Sequence, residues 1–214
     1  MARAPRIITA GAARIDALRK GGAGHKYSHG HALIIAGGPG HGGAARLAAR
    51  GALRIGAGLV TLGCPPAALA ENAAQLNAVM VRGIDGAKGL SEALQDARLN
   101  ALCIGPGLGA GAKALVKTAL AVPAAAPGPR AQAQRSRIGS GTRRAVLLDA
   151  DALTCFAGDP RQLFDQLHEN CVLTPHAGEF ARLFPDIAEK LDAPATQGPA
   201  YSRADATCEA AARA

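Results

Sequence analysis

The stretch whose reading decides the fold is His31–Leu62, HALIIAGGPGHGGAARLAARGALRIGAGLVTL. It reads as strand, glycine turn, helix, glycine turn, strand. Ala32 to Ala36 is a short apolar run, as expected of a strand covered on both faces. Gly37 to Gly43 then places five glycines in seven residues. Such a turn lets a ligand approach the backbone and leaves amide N–H groups pointing outward. Ala44 to Ile55 follows as a helix. Leu47, Leu53 and Ile55 are apolar, and Arg46, Arg50 and Arg54, spaced by four, share one face, so the opposite face can pack. Gly56 and Gly58 end the helix, and Leu59 to Leu62 opens a second strand. A strand feeding a helix N-terminus through glycines is a ready anion site.

Outside this unit the same alternation continues. Further strands are expected at Val79–Ile84, Ala101–Ile104, Ala145–Leu148 and Cys171–Leu173. Helices are expected at Pro66–Gln75, Leu90–Ala97, Ala112–Leu120, after Asp151, at Gln162–Leu167, Glu179–Phe184 and Ser202–Arg213. Pro185–Pro199 reads as loop, and residues 1–24 as a lead-in with one helix near Ala12–Arg19. This pattern predicts an α/β fold with a mostly parallel central sheet and helices on both faces. In such sheets ligands bind at the carboxyl ends of the strands. Four strands end in chemically loaded loops: GGPGHGG, GPGLG, DAD and TPHAGE. A parallel sheet brings all four to one rim, so Gly40, Gly107 and His176 should share an edge.

Composition narrows the function. The chain has 214 residues, 49% of them hydrophobic but only 3% aromatic, so the core must be built from Ala, Leu, Val and Ile. The net charge is +8, but residues 123–144 hold five arginines and no acid. Without them the balance falls to +3. That segment lies among Pro, Ala, Gly, Gln and Ser with no aromatic residue, and reads as a solvated linker or insertion, not a nucleic-acid surface. Gly139–Thr142, inside it, is assigned no role. Between Asp16 and Glu71 there is no acid, so this segment presents positive potential to an anionic ligand. The five cysteines form no CxxC pair and read as reduced, buried thiols of a cytoplasmic protein. No apolar run has transmembrane or secretory-signal length.

Each motif carries alternatives. Gly38, Gly40 and Gly43 match G-x-G-x-x-G, but the second strand ends LGCPP with no acid for a ribose, which weakens a dehydrogenase reading. A phosphate-cradling loop of another α/β fold stands against a plain tight turn. The glycines of GPGLG allow a flat ligand to lie on the backbone, or simply turn the chain. Asp149 and Asp151 either orient a magnesium–phosphate group or a ribose, or one of them caps the next helix. His176, stiffened by Pro175 and with Gly178 beside it, is placed to donate a hydrogen bond to a ligand, or is a satisfied histidine at a strand end. Glu179 suits the helix N-terminus that follows.

In order along the chain, HKYSHGHALIIAGG, GGAARLAARGALRIGAGLVTL, IGPGLG, LLDADALT and LTPHAGEFARLF together resemble the ADP-dependent NAD(P)H-hydrate dehydratases, over about His25–Phe184. The resemblance implies a ribokinase-like fold. It implies dehydration of the S-form of hydrated NADH or NADPH at the expense of ADP, with release of AMP and phosphate. It implies that Ala44, Gly107, Gly109 and His176 contact the hydrated dinucleotide. Gly40, Gly43, Gly105, Asp151 and Glu179 would bind nucleotide or support the site. Magnesium would accompany ADP. In many bacteria this domain is fused to an epimerase, and homo-oligomers are expected. The family's later K-G-x-D-T and G-[ST]-G-D segments have no counterpart here. On that basis residues 25–214 form a partial domain, the catalytic Asp would lie beyond Ala214, and no turnover is expected. Two alternatives stay open: a ribokinase-fold kinase of small vitamin-precursor alcohols, and a non-catalytic dinucleotide-binding remnant.

Overall fold

The computed structural model describes residues 25–122, 144–193 and 200–214, with Thr9, Gly11, Ala12 and Ile15 before them. Apart from Ala12 and Ile15, the helix expected near Ala12–Arg19 lies outside the described residues, as does nearly all of the Arg/Pro/Gly-rich segment.

Six strands form one sheet: β1 (His31–Ile35), β2 (Leu59–Cys64), β3 (Met80–Gly83), β4 (Ala101–Ile104), β5 (Ala145–Leu148) and β6 (Cys171–Leu173). Every pairing is parallel, in the order β3-β2-β1-β4-β5-β6. The chain first winds outward from β1 to β3, then crosses back to β4. Order therefore reverses between β1 and β4, where open parallel sheets have their ligand crevice.

Alternation along β1 shows why it reads as a continuous apolar run. Leu33 and Ile35 enter one core, whereas Ile34 and Ala36 enter another on the opposite face. Helices α1 (Gly43–Arg54) and α2 (Leu69–Gln75) follow β1 and β2, and α1 supplies Ala45 and Ala49 to the second core. The first core is larger. It gathers Leu90 of α3 (Gly86–Ala93), Val116 of α4 (Ala112–Ala121), Leu153 of α5 (Asp151–Thr154) and Leu163 of α6 (Arg161–Phe164). Leu183 of α7 (Ala177–Leu183), Ile187 of α8 (Pro185–Asp192) and Ala210 of α9 (Arg203–Arg213) complete it.

Covering of the second face fades across the sheet. Ile34, Cys103, Leu147 and Val172 lie in one row of partners. Ile34 is 4% exposed and Val172, on the edge strand, 54%.

Expectations about α1, the stretch from Pro185 and Arg144 are corrected. The face of α1 that packs is the alanine face; Leu47 is 68% and Ile55 88% exposed. Small side chains let the helix lie close to β1 and β2. Two of its arginines reach α2: Arg46 pairs with Glu71 at 2.9 Å, and Arg50 donates to the Gln75 carbonyl at 2.7 Å. The stretch from Pro185 is helical over Pro185–Asp192, with proline at the first turn, where its missing N–H costs nothing. Buried Ile187 and the packed Leu191, four apart, hold this helix to the core. Arg144, read as part of the solvated linker, is 3% exposed. Its guanidinium donates to the carbonyls of Leu99 at 2.8 Å and of Leu94, just past α3. The negative end of that helix dipole favours the buried cation.

None of the five cysteines forms a disulfide; Cys64 is buried, Cys103, Cys155 and Cys171 are half-buried and Cys208 is exposed, so the expected full burial holds at Cys64 alone. Burial pushes the Cys103 thiol up to about 11. Among the described residues no helix is long and apolar enough to cross a membrane.

Candidate active site

The loops leaving β1, β4, β5 and β6 interlock at the carboxyl edge of the sheet. Gly37 ends the β1 run; a Cβ there would stand 1.8 Å from the Gly107 carbonyl oxygen. Gly107 in turn has φ +76°, and a Cβ on it would reach the His41 carbonyl at 2.6 Å. These two glycines therefore permit backbone-to-backbone contact across the switch point, which any side chain would forbid. Gly105, φ +149°, repeats the arrangement against the Asp149 carbonyl, at 1.7 Å from a hypothetical Cβ.

Carboxylates tie the next loops. Asp151 Oδ2 accepts from the Gly109 amide at 2.9 Å, fixing the end of GPGLG to the start of α5. Asp149 Oδ1 accepts from the Thr174 hydroxyl at 2.9 Å, which joins DAD to TPHAGE. Ala150 between them has φ +48°, a left-handed conformation that costs a non-glycine residue energy. The two aspartates thus hold this bend and its neighbouring loops.

His176 is the N-cap of α7. Its Nδ1 accepts from the amides of Gly178 at 3.0 Å and Glu179 at 3.4 Å. The ring proton is therefore assigned to Nε2, 3.2 Å from Glu179 Oε1. Glu179, 5% exposed, closes the box by accepting from the His176 amide at 2.9 Å. The expected donor N–H is thus already directed at Glu179, although the imidazole itself stays exposed.

On the other side, the β1–α1 loop is gripped from α2. Gly40, φ +79°, donates its amide to Glu71 Oε2 at 2.8 Å. Arg46 donates to Glu71 Oε1 at 2.9 Å and to Asn72 Oδ1 at 3.1 Å. The Gly40 amide, then the Arg46 guanidinium, hold the Glu71 carboxyl below the ordinary glutamate range. Gly43 and Ala44 lie in the first turn of α1, where helical N–H groups lack intrahelical partners, and both are exposed.

The structure thus links the β1, β4, β5 and β6 loops, carrying Gly40, Gly107 and His176, at one edge through a chain of direct contacts. Glu71, Asn72 and Thr174 are site residues that sequence reasoning missed. Glu71 carried a usable signal: it is the first acid after a long acid-free segment.

A parallel sheet in this order, with its glycine loops meeting at the switch point, defines a ribokinase-like α/β protein. A ribokinase-like superfamily protein from Enterococcus faecalis superposes with a TM-score of 0.56 at 23% identity, over 78% of this chain and 54% of that one. Residues 32–207 match the family model for NAD(P)H-hydrate dehydratase, and the chain belongs to that family. The bifunctional NAD(P)H-hydrate repair enzyme of Gloeobacter violaceus is 36% identical over 193 residues, 87% of this chain and 34% of that protein. Its counterpart in Escherichia coli is 36% identical over 159 residues, 74% of this chain and 26% of that protein. The ADP/ATP-dependent NAD(P)H-hydrate dehydratase of Bacillus subtilis, co-crystallised with ATP and Mg2+, is 26% identical with a TM-score of 0.52. That match covers 81% of this chain and 53% of that one. The chain spans about a third of the bifunctional relatives and about half of the solved ones.

Proposed function

We propose that the rim binds hydrated NADH or NADPH and a nucleoside diphosphate, and that it serves the ADP-dependent dehydration of the S-hydrate. The observation that carries this is the interlocked set of four loops at the β1/β4 switch point. It forms a floor of bare backbone with helix N–H groups beside it, which suits a flat, phosphorylated ligand.

Chemically, the hydroxyl of the hydrate takes the terminal phosphoryl group of ADP and AMP leaves. The resulting phosphate ester then departs as inorganic phosphate, with loss of a ring proton, and the dihydronicotinamide double bond is restored. Such a sequence asks the protein mainly for positioning and charge neutralisation. Gly107 and Gly109 would form the floor, Ala44 and the exposed imidazole of His176 the walls. Gly40, Gly43 and Gly105 would shape the phosphate side, held by Asp151 and Glu179.

Magnesium fits as a companion of the nucleotide and not as a resident ion. Among the described residues there is no cluster of three or more His, Cys, Asp or Glu that could hold a metal. Asp149 and Asp151 each already accept a protein donor. A cation carried in by phosphates keeps most of its own water, and supplies charge neutralisation at the transferring phosphoryl group. A fused or associated epimerase and a homo-oligomer belong to the same reading.

The test compares thermal shifts with hydrated NADPH, with ADP and Mg2+, and with hydroxymethylpyrimidine or thiazole alcohols. Stabilisation by the hydrate supports the dehydratase site. Stabilisation by the small alcohols alone overturns it in favour of a kinase.

A further inference from the structure

We infer that Glu71 is a positioning residue that sets the β1–α1 loop for ligand. As a statement about the site, this rests on the function proposed above. The loop has five glycines in seven residues. Left to itself it would sample many shapes, and ordering it on binding would weaken affinity. Glu71 removes that freedom from outside the loop. One carboxylate oxygen holds the Gly40 amide, at the position with φ +79°; the other holds Arg46 of α1. Loop and helix are thereby locked to each other through a residue that belongs to neither.

The anchor itself is rigid. Asn72, next in the chain, is fully buried, with its amide nitrogen on the Ala68 carbonyl at 2.9 Å and its oxygen facing Arg46. Gly42 closes on it so tightly that a Cβ would stand 2.4 Å from Asn72 Oδ1. Arg50, one turn further along α1, reaches the Gln75 carbonyl at the end of α2. Pairing with Arg46 neutralises the acid, so it can stand beside a phosphate site without repelling the ligand. The remaining amides of the first turn of α1 are left for that ligand.

The experiment uses Glu71→Ala and Glu71→Gln, with Glu92→Ala, at an exposed position of α3, as control. Amide exchange at Gly40 is read by NMR without ligand, and affinity for hydrated NADPH by calorimetry. Glu71→Ala should speed Gly40 exchange roughly tenfold and weaken hydrate binding to a similar extent, the effect of losing a charge-assisted hydrogen bond. Glu71→Gln keeps an acceptor oxygen and should stay within about threefold of wild type on both readouts. Glu92→Ala should change neither. Unchanged Gly40 exchange in Glu71→Ala overturns the inference. So does a lowered melting temperature with unchanged affinity, which would make Glu71 a mere tether of α2. If the wild-type chain takes up no hydrate, the functional proposal falls, while Gly40 exchange in the two variants still decides whether Glu71 sets the loop.

Discussion

Gly37→Ala should be among the most damaging single-methyl additions in this protein. The new Cβ would lie 1.8 Å from the Gly107 carbonyl oxygen, 2.7 Å from its carbon and 3.0 Å from the His41 Cβ. An ordinary contact needs about 1.5 Å more room. The obstacle is backbone, so no rotamer change relieves it. The β1 and β4 loops must separate, and each is tethered: Gly40 to Glu71, Gly109 to Asp151. Overpacking a rigid site costs about 1–3 kcal/mol, and a backbone clash belongs at the upper end, about 3 kcal/mol. For a domain of this size each kcal/mol lowers the melting temperature by about 2–4 °C, which gives a drop of about 6–12 °C. Gly38→Ala is the control, because nothing lies within 4 Å of its Cβ. Thermal and urea unfolding of both variants check this. A Gly37→Ala melt within about 1 °C of wild type would refute the claim that the two loops touch through bare backbone.

Three further outcomes follow from other parts of the molecule. Arg144→Met strips the donors from the carbonyls of Leu99 and Leu94 and should cost about 2–4 kcal/mol, read as a lower urea midpoint at unchanged slope. Asp151→Ala frees the Gly109 amide and should weaken ADP binding by roughly threefold to tenfold in calorimetry, with Asp151→Asn closer to wild type. Burial lowers the pKa of His31, whose Nε2 lies 2.8 Å from the Thr61 hydroxyl. The unfolded chain therefore binds a proton more readily below about pH 6.5, so stability should fall as pH drops from 7 toward 5, and His31→Phe should flatten that slope in urea melts.

Much of this protein could be read without coordinates. Three of the strand spans, Ala101–Ile104, Ala145–Leu148 and Cys171–Leu173, follow from apolar runs flanked by turn residues, and the parallel α/β class from their alternation with helices. The convergence of the four loaded loops follows from the class itself, because parallel strands end on one side. Helix α8 was less legible, since a proline at Pro185 and charged neighbours look like loop until Ile187 and Leu191 find a core.

What the linear order of residues determined was which backbone segments become strands or helices and where glycine allows the chain to turn, because both depend on local patterns along the chain; strand order was left to the tertiary structure. Only tertiary structure decided which side chains serve the rim. Glu71 lies 31 residues from Gly40 and Thr174 lies 25 from Asp149, yet each pair shares a hydrogen bond. It also decided that Leu47 and Ile55 face water while alanines pack, and that Arg144 is buried on backbone carbonyls. Those outcomes depend on how closely helices approach the sheet and where carbonyl ends converge, distances that no periodicity along the chain encodes.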